Sequence, residues 1–169
     1  MVIDFSSLKK INVDLDHHNS FGCGQANQFG LRMKFATDGK RVCSQIYVPE
    51  YLCSWQNLIH GGIVGTILDE IMFWSAMYFT KKIVLTKKTT IELKCPPSSK
   101  YMPVQAFGYI KGRQGESSVI MAGELYNNRG DQYATANADF ATIDPAIADR
   151  LNILTLADVD MVRGFIKSF

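Results

Sequence analysis

A long apolar segment, residues 61–79, limits the folds that are open to this chain. It contains no proline, and its apolar residues fall on every face of a helix about 28 Å long at 1.5 Å per residue. Two acids, Asp69 and Glu70, interrupt it, and each would cost roughly 2.5–3.5 kcal/mol at the centre of a bilayer. We therefore expect a helix buried in a protein core, not a membrane span.

Composition narrows the class of protein further. The chain has 169 residues, of which 47% are hydrophobic and 20% charged, values typical of one globular domain. Its net charge of +2 is nearly neutral, which argues against general binding of nucleic acid. The four cysteines show no close pairing and the N-terminus lacks the pattern of a signal peptide, so we expect free thiols and a cytoplasmic protein.

Strand patterns flank the apolar helix on both sides. Alternation of apolar and polar residues, bounded by turn signals, predicts six strands: 31–37, 41–48, 86–95, 103–112, 116–127 and 131–142. Residues 1–30 are expected to be irregular, and residues 145–169 to form a helical tail. The predicted fold is α+β, with an antiparallel sheet of about six strands curled around one long central helix. Such a sheet leaves edge strands, which a second copy of the chain would cover.

Two stretches of sequence carry the main indication of function. One is FGCGQANQFGLRMKF, residues 21–35, and the other is WQNLIHGGIVGTILDE, residues 55–70, in which an acid follows the histidine by nine positions. Together they resemble motifs of hotdog-fold acyl-CoA thioesterases of the phenylacetate-pathway and THEM (thioesterase superfamily member) type. The resemblance covers residues 17–143. It implies a hydrolase that releases a free acid and coenzyme A and uses neither a cofactor nor a metal ion.

Thioester hydrolysis needs a polarised carbonyl group, and the start of the apolar helix suits this half of the chemistry. Its free N–H groups and positive dipole end favour a developing oxyanion, and the glycines leave the thioester room to approach. The resemblance assigns the oxyanion contact to the Gly61 amide, with His60 shaping the turn. It also places Gly62, Asn57 and Trp55 beside the substrate.

The other half of the chemistry is an activated water or a carboxylate nucleophile, and Asp69 suits it as general base or as nucleophile. Eight residues of helix separate it from Gly61, which is about 12 Å of axial rise. One helix cannot easily direct both groups at one carbonyl carbon, so we expect Asp69 to act with Gly61 of a partner subunit, as the resemblance also implies. The expected assembly is a homodimer, or a homotetramer built as a dimer of dimers. Thr86 matches a family Ser/Thr that positions the water or the acid.

Each of these residues also has a purely structural explanation. Asp69 could be a buried acid bonded to Thr86 or to a backbone amide. Glu70 lies about 100° further around the helix, and we assign it a structural or interface role. Helix capping, close packing or a scaffold role is the structural alternative for the other candidates, which are His60, Gly61, Gly62, Asn57 and Thr86.

The chain departs from the family pattern in two places. Ser20 stands where many relatives have a cysteine, and the loop 54–57 reads Ser-Trp-Gln-Asn where relatives often have Gly-Trp-Pro-Gly. Because that loop borders the substrate, acyl preference cannot be transferred. The candidates for binding the coenzyme A phosphates are the surface cations Lys87, Lys88, Lys111 and Arg113.

Other kinds of site are weakly supported. His17, His18 and Cys23 provide three possible metal ligands, fewer than the four of a closed zinc site. No Gly-x-Ser-x-Gly motif or phosphate-binding loop is present. The alternative to a thioesterase is a non-catalytic acyl-CoA-binding or regulatory hotdog protein, and a hotdog hydratase fits the histidine-to-acid spacing less well.

Overall fold

The computed structural model describes residues 3–55, 57–113, 115, 117–144, 147, 162, 164 and 165. The long helix α1 spans Gly61–Thr80. The strands of the described residues are β1 (Lys9–Ile11), β2 (Phe35–Thr37), β3 (Val42–Ile46), β4 (Cys53–Ser54), β5 (Leu58–Ile59), β6 (Ile83–Leu93), β7 (Val104–Arg113), β8 (Ser118–Tyr126) and β9 (Gln132–Ile143). Short 3-10 helices occupy Phe5–Ser7, Glu50–Leu52 and Ser99–Tyr101.

Seven strands form one antiparallel sheet, in the order β1-β2-β3-β7-β8-β9-β6. This confirms the predicted antiparallel sheet around one long helix, with one strand more than expected. The additional strand, β1, lies in the segment 1–30 that was predicted to be irregular. It has only three residues, of which Ile11 is buried and pairs with Phe35, so its sequence pattern was too short to detect.

The first predicted strand, 31–37, is only partly extended. Arg32 has a positive φ of 49°, which breaks an extended strand. The N–H groups of Leu31 and Met33 donate to the carbonyls of Phe21 and Gly22 instead of to a neighbouring strand. Strand β2 therefore begins at Phe35, and the residues before it hold the N-terminal segment against the body of the protein.

Helix α1 packs against the sheet, where it contacts β3, β6, β7, β8 and β9. Along β9 the alternate residues Ala134, Ala136, Ala138 and Phe140 are all buried and form one apolar face of the strand. Beside it, β7 approaches so closely that a Cβ added at Gly108 would lie 2.6 Å from the Ile71 carbonyl oxygen. Small residues on the sheet therefore fix the depth at which the helix, and every side chain on it, sits.

The predicted helical tail, 145–169, lies mostly outside the described residues. Of its members, Phe165 is buried, with its ring centroid 5.1 Å from that of Trp74 on α1. Among the described residues no helix is long and apolar enough to cross a membrane.

Candidate active site

The start of α1 is an open, capped helix terminus. The His60 side chain accepts a hydrogen bond from the Gly62 N–H at Nδ1 (3.0 Å), while its carbonyl accepts from Ile63 and Val64. The Gly61 N–H donates to none of the described residues, and a Cβ there would meet nothing within 4 Å. His60 thus orients the turn, and the space beside the Gly61 Cα leaves room for a ligand to approach the helix start.

The loop before the helix borders this terminus. Strands β4 and β5 form a small hairpin whose tip carries Trp55, 86% exposed, and Asn57, which has a positive φ of 79°. The Asn57 carbonyl accepts from the backbone N–H of Ser99 (2.7 Å) and from its hydroxyl (3.1 Å), which ties the tip to the segment after β6. A surface pocket of about 330 Å³ lies between these residues. Gln56 is outside the described residues.

Asp69 faces β6, the strand at the edge of the sheet. Its Oδ1 accepts hydrogen bonds from the Thr86 hydroxyl (3.5 Å) and the Thr89 hydroxyl (3.3 Å). Its Oδ2 accepts none from the described residues and remains accessible to solvent. Burial raises the pKa of the Asp69 carboxyl, and the two hydroxyls oppose that rise. The result is a half-buried acid with one oxygen anchored and the other open.

Glu70 points in a different direction and has a different environment. The Trp74 indole N–H donates to its Oε2 (3.1 Å), and the Cys23 thiol and Ser20 hydroxyl lie beside it. Gly22 packs so tightly on the Glu70 side chain that a Cβ there would overlap it. Burial raises the pKa of Glu70, and burial together with the Glu70 charge raises the pKa of Cys23 to about 12. This environment fits the structural role expected of Glu70, which anchors the N-terminal segment.

The structure thus separates the two halves of the predicted site. His60, Gly61 and Gly62 form the start of α1, and Asn57 and Trp55 lie in the hairpin that precedes it, whereas Thr86 lies beside Asp69. The continuous helix keeps Asp69 about 12 Å along the axis from Gly61. Thr89 was not predicted from the sequence, because in a regular strand it would point away from the face that Thr86 occupies.

The remaining candidates are the possible metal ligands and the cations proposed to bind the coenzyme A phosphates. Among the described residues no group of three or more His, Cys, Asp or Glu side chains is placed to hold a metal ion. Of the cations proposed for phosphate binding, Lys87 and Lys88 are exposed on β6 next to Thr86. Lys111 donates to the Asn137 side chain (2.8 Å) on the sheet surface.

The fold is similar to those of solved thioesterase-superfamily proteins. One such protein, RHA08564, matches with a TM-score of 0.65 at 15% identity, over 73% of this chain and 60% of its own. PaaI of E. coli, from the phenylacetic acid degradation operon, gives 0.57 at 14% identity, over 67% of this chain and 80% of its own. BH2602 of Bacillus halodurans, solved with CoA, gives 0.53 at 20% identity, over 59% and 70%. These likenesses confirm the hotdog fold predicted from the sequence.

Comparison with family models and curated proteins adds no evidence about function. No protein-family model matches the chain, and no curated protein matches it. At identities of 13–20% a shared fold does not fix a shared activity, so the functional argument rests on the residues of the site.

Proposed function

We propose that this protein is an acyl-CoA thioesterase that hydrolyses its substrate at a site shared between two subunits. The observation that carries the proposal is the state of Asp69, a half-buried carboxylate with one oxygen held by two threonines and the other open. An acid held in this way is suited to take a proton from water or to attack a carbonyl carbon.

The helix start provides the complementary group. The Gly61 N–H, which has no partner among the described residues, and the positive end of α1 would stabilise the negative charge on the thioester oxygen in the tetrahedral intermediate. In the base mechanism, Asp69 takes a proton from water while the water oxygen bonds to the carbonyl carbon. The carbon–sulfur bond then breaks, and coenzyme A thiolate takes up the proton on leaving as the thiol. In the nucleophile mechanism an Asp69 carboxylate oxygen bonds to the carbonyl carbon, the carbon–sulfur bond breaks and coenzyme A leaves as the thiolate. Water then hydrolyses the mixed anhydride, which gives the free acid, restores the Asp69 carboxylate and supplies a proton to the thiolate.

Dimerisation through β6 would bring the two halves together. No described strand pairs with the outer edge of β6, and apolar Leu85, Ile91 and Leu93 are 39%, 39% and 53% exposed there. Such an edge favours pairing with another strand. The Ile91 side chain lies near Gly65, and the two threonines near Asp69, so the helix start lies towards the Leu93 end of β6.

The direction of that pairing decides which groups meet. If two copies of β6 pair antiparallel about their midpoint, the Leu93 end of one strand lies beside the Ile83 end of the other. The partner's helix start is then carried towards Asp69 of the first chain. Asn57 and Trp55 would border the acyl group, with Lys87 and Lys88 near the coenzyme A phosphates. A dimer of dimers is compatible with the same pairing.

Two further features fit the proposal. BH2602, which shares the fold, was solved with CoA. All four cysteines are free, which suits the reducing cytoplasm that we propose as the location. A non-catalytic acyl-CoA-binding protein would need no acid with an open oxygen at this position, and for that reason we favour the enzyme.

The test measures the hydrolysis of a panel of acyl-CoA thioesters by detecting the free thiol of the coenzyme A that is released. Asp69→Asn should lower turnover at least about a hundredfold, within the range of general-base loss. Glu70→Gln is the matched control, because it removes the neighbouring acid, which faces the N-terminal segment, and should retain turnover. A folded Asp69→Asn protein with near-normal turnover would remove Asp69 from the mechanism.

Co-expression tests the shared site. Asp69→Asn and a bulky Gly61→Leu variant should each be inactive. In their heterodimer one site would carry both lesions and the other neither, so activity should return towards half of the wild-type value. Heterodimers confirmed by mass spectrometry that stay inactive would contradict the shared site.

A further inference from the structure

Strand β6 carries a β-bulge at the position that faces Asp69. In its pairing with β9, Thr86 lies opposite Phe140, Lys88 opposite Asp139 and Thr89 opposite Ala138, so one extra residue is inserted between Thr86 and Lys88. Residues three apart in a regular strand point to opposite faces. The extra residue corrects this, because a bulge shifts the alternation by one position. Thr86 and Thr89 can therefore both turn towards the helix.

We propose that Thr89 is a positioning residue for Asp69, and that the bulge exists to deliver its hydroxyl. Its oxygen is 3.3 Å from Asp69 Oδ1, closer than the 3.5 Å of Thr86, and its side chain is partly buried whereas Thr86 is exposed. Two donors on one oxygen restrict rotation of the carboxylate more than one donor does. Oδ2 is thereby held towards solvent, where the proposed chemistry needs it, so this inference rests on the proposed function.

The hydrogen bond from Thr89 can be measured through its effect on the pKa of Asp69. Burial raises the pKa of Asp69, and the hydroxyls of Thr89 and Thr86 lower it. Of the other ionisable groups near it, Glu70 adjoins it on α1 and couples to it electrostatically, while Lys87 and Lys88 lie on β6. Strand β9 presents the uncharged Ala136, Ala138 and Phe140 towards the helix.

The experiment compares Thr89→Val, Thr89→Ser and Thr90→Val. Thr90 is an exposed threonine on the same strand and serves as the matched control. Loss of a hydrogen bond to a charged group corresponds to roughly a 10- to 100-fold effect, so we expect kcat to fall by that factor in Thr89→Val with KM little changed. The acidic limb of the pH profile of kcat/KM should move to higher pH, because the base loses a donor that favours its ionised form.

The serine variant separates positioning from packing. Thr89→Ser keeps the hydroxyl and should recover most of kcat and the wild-type pH profile, while Thr90→Val should resemble wild type. If Thr89→Ser is as impaired as Thr89→Val, or if Thr89→Val keeps the wild-type profile, the inference is overturned.

A second measurement does not depend on turnover. The pKa of Asp69, followed by carbon NMR of protein labelled at aspartate carboxyls, should rise in Thr89→Val and not in Thr90→Val. An unchanged pKa would overturn the inference even if the protein hydrolysed no thioester. Conversely, an active Asp69→Asn protein would contradict the proposed function, while a raised pKa in Thr89→Val would still support the contact.

Discussion

Replacement of Gly108 by alanine tests the closest approach of the sheet to the helix. A Cβ at this position would overlap the Ser75 hydroxyl and lie 2.6 Å from the Ile71 carbonyl oxygen. The serine could rotate, but the carbonyl belongs to the backbone of a buried helix and cannot. Strand β7 must therefore move away from α1 by roughly 0.8 Å to restore ordinary contact.

That movement should be visible as a loss of stability. Overpacking of this kind costs about 1–3 kcal/mol, against a gain of about 0.4–1 kcal/mol from the reduced freedom of the unfolded chain. We expect a net loss of about 1–2 kcal/mol for Gly108→Ala. Gly112 is the matched control, because it lies on the same strand and a Cβ there would meet nothing within 4 Å. Gly112→Ala should be neutral or gain up to about 1 kcal/mol.

Urea unfolding gives both values from the midpoint of the transition, provided that the slope m is unchanged. If Gly108→Ala unfolds at the same urea concentration as Gly112→Ala, or at a higher one, the strand and helix do not touch as described. Since α1 carries Asp69, Gly108→Ala should also reduce turnover more than Gly112→Ala does.

Three further predictions concern charge and assembly. Burial raises the pKa of Glu70 above its usual 4.5, so the stability that it contributes is present at low pH and is lost as the pH rises through the folded-state pKa. In Glu70→Gln the free energy of unfolding should therefore fall less between pH 4 and 8 than in the wild type. The same fall in both proteins would contradict the burial of this carboxyl. The apparent KM for an acyl-CoA should rise with salt if Lys87 and Lys88 contact the phosphates, and a constant KM would assign them to solvated surface. Leu93→Lys places a charge on the exposed edge of β6 and should shift sedimentation from dimer towards monomer, with turnover falling in parallel; an intact dimer would locate the interface elsewhere.

Elements with a long, regular pattern could be predicted from the sequence. The helix was expected at 61–79 and lies at Gly61–Thr80, since its apolar run between glycines and Lys81 leaves few alternatives. The last four strands of the sheet also lie close to their predicted bounds. Strand β1 was missed because three residues are too few for alternation to be visible, and the start of β2 was misplaced because the positive φ of Arg32 has no signature in the sequence.

Whether the predicted residues form an active site stays a prediction, and their local geometry was foreseen only in part. The helix between His60 and Asp69 was expected, as was a role for His60 in shaping its first turn, but the bond that its side chain accepts from the Gly62 N–H was not specified. The second hydroxyl on Asp69 could not be foreseen, because a β-bulge is set by pairing with β9 and not by the strand's own residues. Whether two subunits share the site stays a prediction.

The order of strands in the sheet also determines when the sheet can form as the chain is synthesised. The early hairpin of β2 and β3 joins the sheet only through β7, which begins at Val104, while β6 reaches it only through β9, which ends at Ile143. A nascent chain released from the ribosome as far as α1 therefore holds an apolar helix but lacks β6, β7, β8 and β9, the strands that bury most of it. Truncation after β6 should leave a fragment that chaperones retain, and stable structure should form only once β9 has emerged. Split-protein or fusion designs based on this chain are best divided outside Val42–Ile143.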